Sequence, residues 1–154
     1  MALYFAYGSN MSGEGMRVRC PQAQALGPGS LDGWRFIINA DGYASVVPSP
    51  GGKVHGVLWR LAARDLGALN AYEAVESGLY VRRMLPVRCG NVRRRALIFI
   101  ARRTERGRPR PGYLAPIVAA ARDWRLPAAY VSALDRWSAS GWRGARAVET
   151  GEAG

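Results

Sequence analysis

Two short stretches of this chain carry side chains suited to chemistry. The first is Leu3-Tyr4-Phe5-Ala6-Tyr7, an apolar, aromatic-rich run that breaks abruptly into Gly8-Ser9-Asn10-Met11. The run reads as a buried strand. Glycine opens the backbone to tight turns, and the short polar groups of Ser9 and Asn10 bond to nearby backbone or to a ligand. A strand ending in this way can aim several backbone N–H groups at one point, which suits an anionic or carbonyl ligand. The same residues also make an ordinary hairpin turn. The second stretch surrounds Glu73. Leu66, Leu69 and Tyr72 recur at helical spacing and predict a helix over Ala63–Ala74, with Glu73 in its last turn. A carboxylate there faces the negative end of the helix dipole, which disfavours its ionised form. Partial burial would act in the same direction. A carboxyl group tuned towards neutrality serves as a general base and then as a general acid. A plain surface glutamate at a helix end, like Glu76, fits the same pattern.

Composition narrows the classes of function. At 154 residues with 49% apolar residues, a single domain with a sizeable core is expected, spanning 1–145, with 146–154 as a flexible tail. No run approaches the ~20 apolar residues of a membrane span. The N-terminus lacks the basic and apolar segments of a secretory signal, so a cytoplasmic protein with no membrane partner is expected. Cys20 and Cys89 are too few for a disulfide framework. His55 is the only histidine, and the carboxylates are dispersed, so no metal site is expected. His55 sits in Val54-His55-Gly56-Val57, mid-strand, and reads as structural. The formal charge is +11, yet 21 of the 22 basic residues are arginine. That bias, beside abundant alanine and glycine, looks like base composition as much as a phosphate-binding footprint. Nucleic acid is therefore not expected as a partner. The cluster from Arg102 to Arg110 is rich in Gly and Pro and reads as a solvated loop.

The elements that must position these residues are short. Strands are expected at Leu3–Tyr7, Ala23–Leu26, Trp34–Asn39, Ser45–Val47, Val54–Leu61, Tyr80–Val87 and Ala96–Ala101. Pro28-Gly29, Asp32-Gly33, Asp41-Gly42 and Gly51-Gly52 supply the expected turns. Helical patterns occupy Met11–Val18, Leu114–Trp124 and Pro127–Trp137, the last two with apolar stripes. The expected class is α+β: a small mixed or antiparallel β-barrel of about seven strands with flanking helices, since closing the sheet removes exposed edges. Trp137 and Trp142 pack internally or at the interface of a homodimer.

Taken in order, these segments resemble the γ-glutamylcyclotransferase-like family. LYFAYGSNM, Leu3 to Met11, resembles its substrate loop; VHGVLWRL, Val54 to Leu61, the strand before its catalytic helix; and LNAYEAVESGLYV, Leu69 to Val81, the segment with its catalytic glutamate. Pro111-Gly112-Tyr113 before a helix, and Leu126 to Tyr130, complete the set. The Tyr-Gly-Ser-Asn form differs from the Tyr-Gly-Ser-Leu of the glutathione-specific branch. The family commonly has glycine after the glutamate, where Ala74 stands here, and an alanine would let the helix run a residue or two further. The resemblance implies a cofactor-independent intramolecular aminolysis. The α-amine of a small γ-glutamyl amine or amino acid attacks its own γ-carbonyl and 5-oxoproline is released. It implies Glu73 as the acid/base, and Tyr7, Gly8, Ser9, Asn10, Met11, Tyr80 and Tyr113 as substrate-binding residues. Alternatives are a lyase or transferase using an outside amine, and a non-catalytic binding module of the same fold for an acidic ligand or nucleic acid. A serine hydrolase built on Ser9 and His55 lacks the Gly-x-Ser-x-Gly elbow.

Overall fold

The computed structural model describes residues 2–72 and 78–138. Glu73 to Ser77, Trp142 and the expected tail 146–154 lie outside the described residues. Five strands form a closed barrel: β1 (Ala2–Ala6), β2 (Gln24–Ile38), β3 (Ala44–Leu61), β4 (Tyr80–Cys89) and β5 (Val92–Ala101), in the order β1-β3-β2-β4-β5. All pairings are antiparallel except β1 with β5, which closes the barrel in parallel at Tyr4↔Leu97. The α+β class and the mixed barrel agree with the sequence reading; the count of seven strands does not.

The difference has a definite cause. Ala23–Leu26 and Trp34–Asn39 belong to one long strand, β2, and Ser45–Val47 and Val54–Leu61 to another, β3. Of the four expected turns, only Asp41-Gly42 reverses the chain. There Gly42 has φ +87° and its N–H donates to Asn39 O at 2.9 Å. Gly27 and Gly33, at φ +113° and +85°, sit instead where the β2/β3 register shifts. They act as bulges, which bend a strand and sharpen its twist without ending it. A barrel of five strands needs that curvature.

Helices cover the outside. A 3-10 turn, Ser9–Met11, leads into α1 (Gly13–Arg19), whose N-cap Ser12 accepts a hydrogen bond from Gly15 N at 3.1 Å. Next come α2 (Ala63–Tyr72) and α3 (Leu114–Asp123), and residues 128–138 are also helical. The stripes place Ile117, Ala120, Ala121, Val131 and Leu134 in the core. Trp124 crosses Trp59 of β3 edge-on at 6.2 Å and donates from Nε1 to Met11 O at 2.7 Å. The 102–110 loop is largely exposed but tethered: Arg103 pairs with Asp41, and Arg106 and Arg110 stack on Trp137 and Tyr43. Among the described residues no helix is long and apolar enough to cross a membrane.

Candidate functional site

Where β1 ends, the chain enters a pocket with about 300 Å³ of empty space, its open mouth included. Its walls are Tyr4, Tyr7, Gly8, Ser9, Asn10, Ala44, Tyr80, Phe99 and Tyr113. Barrel closure is what brings these distant segments together. Tyr7 Oη donates to Phe99 O of β5 at 2.5 Å, and the Tyr4 ring meets Phe99 edge-on at 5.7 Å. Two tyrosines hold the peptide groups of one residue at the start of β3. Tyr80 Oη donates to Ala44 O at 2.7 Å, and Ala44 N donates to Tyr113 Oη at 3.0 Å. Tyr113 is itself braced edge-on by Tyr43 at 5.5 Å. These bonds fix the phenol rings of three chain segments around a single opening, with rotamers locked by packing.

Gly8 serves by its size. Its φ of −121° is outside the left-handed region, but a Cβ there would stand 3.4 Å from Ala44 Cβ and 3.8 Å from Tyr113 Oη. A side chain would crowd the opening. The turn that follows is held from outside. Asn10 is buried, donates from Nδ2 to Tyr4 Oη at 3.0 Å, and accepts at Oδ1 from Arg19 Nε at 2.7 Å. Arg19 lies over the Tyr72 ring at 4.2 Å, and Tyr72 Oη is 3.1 Å from Ser9 Oγ.

Six of the residues marked in the sequence therefore share the pocket wall: Tyr7, Gly8, Ser9, Asn10, Tyr80 and Tyr113. Met11 does not. It is fully buried behind the turn and takes part through its carbonyl, which holds Trp124. Glu73 lies outside the described residues. Its chain neighbour Tyr72 touches Ser9, and the chain returns to the pocket at Tyr80. None of the described lining side chains is a carboxylate or a cation. His55 is elsewhere, on β3 against the Tyr130 ring at 4.8 Å. Burial, aided by Lys53 and opposed by Asp32, holds its imidazole below the ordinary histidine pKa.

Sequence reasoning missed Tyr4, Ala44, Phe99, Arg19 and Tyr72. Tyr4 and Phe99 looked like core aromatics, and Ala44 acts through its backbone, so neither kind of residue carries a sequence signal. Arg19 was one arginine among 21.

Comparison with known proteins gives a consistent picture. The model of the AIG2-like family matches residues 53–134. Human γ-glutamylcyclotransferase is 34% identical over 89 residues, which is 51% of this chain and 47% of the human protein. The chain thus spans about half the length of the curated relatives it matches. A solved structure named gamma-glutamyl cyclotransferase superposes with a TM-score of 0.79 at 28% identity, over 87% of this chain and 86% of that one. YkqA from Bacillus subtilis superposes with a TM-score of 0.79 at 27% identity, over 90% of this chain and 54% of its own.

Proposed function

This chain belongs to the AIG2-like, γ-glutamylcyclotransferase-like family, and from that premise we propose that it releases 5-oxoproline from a small γ-glutamyl amine or γ-glutamyl amino acid. The observation that carries the reading is the pocket itself. Residues from β1, the glycine turn, β4 and the segment before α3 line one small polar-rimmed opening.

In the proposed reaction the free α-amine attacks the γ-carbonyl carbon within the same molecule. A C–N bond forms, the carbonyl becomes an oxyanion, and the bond to the departing nitrogen then breaks. Glu73 takes a proton from the α-ammonium, which frees the amine to attack, and delivers one to the leaving nitrogen, so it ends as it began. Backbone N–H groups of the Gly8-Ser9-Asn10 turn would meet the substrate carboxylate or the oxyanion, the latter worth roughly 3 kcal/mol per donor in measured cases. The pocket tyrosines would hold the substrate folded so that amine and carbonyl meet, an orientation effect that can supply several kcal/mol. Two features support Glu73: its neighbour Tyr72 reaches Ser9, and the chain re-enters the pocket wall at Tyr80.

The test is a panel of γ-glutamyl amines, γ-glutamyl dipeptides and glutathione, with 5-oxoproline quantified by mass spectrometry for the wild type and Glu73→Gln. Product from the wild type, with turnover reduced at least about 100-fold in Glu73→Gln, is expected from the weight of general acid/base catalysis. No product from any member would refute the reading. Transfer of the γ-glutamyl group to an added amine without 5-oxoproline would favour the transferase.

A further inference from the structure

We propose that a groove on the outer face of the barrel, walled by Ser30, His55, Arg88 and Arg125, binds a small phosphate-like dianion, either inorganic phosphate or the terminal group of a phosphomonoester. The groove has a volume of about 210 Å³ and shares no lining residue with the tyrosine pocket. The inference does not rest on the cyclotransferase reading.

Strand register builds the floor. Ser30 of β2 pairs laterally with His55 of β3 on one side and with Arg88 of β4 on the other. Lateral neighbours have Cβ atoms about 5 Å apart on the same face. An imidazole, a hydroxyl and a guanidinium thus stand in a row across three strands. Ser30 is only 8% exposed and lines the groove, which places its hydroxyl between the imidazole and the guanidinium where it can donate to a ligand oxygen. The charge around the row is unbalanced. Lys53, Arg88 and Arg93 all pair with the single carboxylate of Asp32, leaving two positive charges in excess before Arg125 is counted.

Arg125 closes the groove from the helical layer. The end of α3 forms a Schellman motif, with Leu126 N donating to Ala121 O at 3.0 Å and Arg125 N to Arg122 O at 2.9 Å. The left-handed residue of that motif is usually glycine, and here it is Arg125 at φ +56°. It is the single non-glycine residue with positive φ among those described. The strained position aims no core side chain; it sets a guanidinium at the groove beside Pro127, where the 128–138 helix begins. That helix start adds a partial positive charge at the same place.

The strain supplies a clean test. Arg125→Gly removes the guanidinium and relieves the backbone, so the variant folds at least as well as the wild type. Inorganic phosphate is titrated into the ¹⁵N-labelled full chain at constant ionic strength, with sodium chloride as the control and glycerol phosphate as the monoester arm. Saturable shifts of the Ser30, His55 and Leu126 amides are expected with phosphate and absent with chloride. Arg125→Gly should bind about tenfold more weakly, as expected for loss of a charge-assisted pair, with an undiminished Tm. Ser30→Ala should weaken binding by a smaller factor. Tighter binding of glycerol phosphate than of phosphate assigns the site to a monoester, and the reverse to the free ion. Shifts that match chloride, or equal affinity in Arg125→Gly, overturn the proposal. So does a single-stranded oligonucleotide that binds more tightly than phosphate and spreads its shifts over Arg93 to Arg95.

Discussion

Removing the Arg19 guanidinium should loosen the glycine turn. Arg19 Nε donates to Asn10 Oδ1 at 2.7 Å, and its guanidinium stacks on Tyr72 at 4.2 Å. Through the Tyr72–Ser9 hydrogen bond, one side chain ties α1, the 3-10 turn and α2 together. A charge-assisted hydrogen bond at a half-buried site contributes about 1.5 kcal/mol, and an exposed cation–π contact about 0.5 kcal/mol. Arg19→Ala should therefore cost about 2 kcal/mol, or a Tm drop of about 4–8 °C for a chain of this size. Arg19→Lys keeps the charge over Tyr72 but loses the planar fork, and should recover less than half. Gly15 offers an internal control. A Cβ at Gly15 would lie 2.6 Å from Arg19 Nη2, so the glycine leaves the path along which Arg19 folds back to Asn10. Gly15→Ala alone gains about 0.5–1 kcal/mol of helix propensity but displaces the guanidinium. In the Arg19→Ala background only the gain remains. Thermal unfolding of the double-mutant cycle measures this coupling. Amide exchange should quicken at Ser9 and Asn10 while β5 stays protected. An unchanged Tm in Arg19→Ala, or equal stabilisation by Gly15→Ala in both backgrounds, would refute the reasoning.

Two further outcomes follow from burial and close approach. Burial, with Asp65 adding to it and Arg19 opposing it, pushes the Cys20 thiol up to about 11, whereas Cys89 is only half-buried. At pH 8 Cys89 should react with a thiol reagent while Cys20 stays inert until the protein unfolds, because the thiolate is the reactive species; two native thiols titrating at equal rates would contradict this. At Gly56 a Cβ would collide with the Ala6 carbonyl oxygen of the neighbouring strand and approach Phe5 Cζ to 2.8 Å. Strand backbone cannot yield as a side chain does, so Gly56→Ala should cost about 3 kcal/mol or more. A Tm equal to the wild type's would show that β1 can move.

Much of the fold was legible because its signals are local. The aromatic run before Gly8 and the apolar stripe of α3 each depend on residues within a turn or two of one another. The strand count was not legible. Gly27, Gly33 and Gly42 all adopt positive φ, and a glycine reads the same whether it reverses a chain or bulges a strand. Only the pairing partner across the ladder decides which.

The sequence by itself determined the polar turn after β1, the tyrosines destined for one opening, the excess of arginine and the family likeness, since each is a matter of residue type and order. The tertiary structure alone decided that Ala44 lends both its peptide groups to Tyr80 and Tyr113, that Met11 faces the core, that Arg19 is the arginine bound to Asn10, and that Ser30, His55 and Arg88 share a row. Each of those facts depends on strand register and barrel closure. A slip of one residue turns a side chain to the other face, and no local stretch of sequence encodes which distant residue will lie opposite.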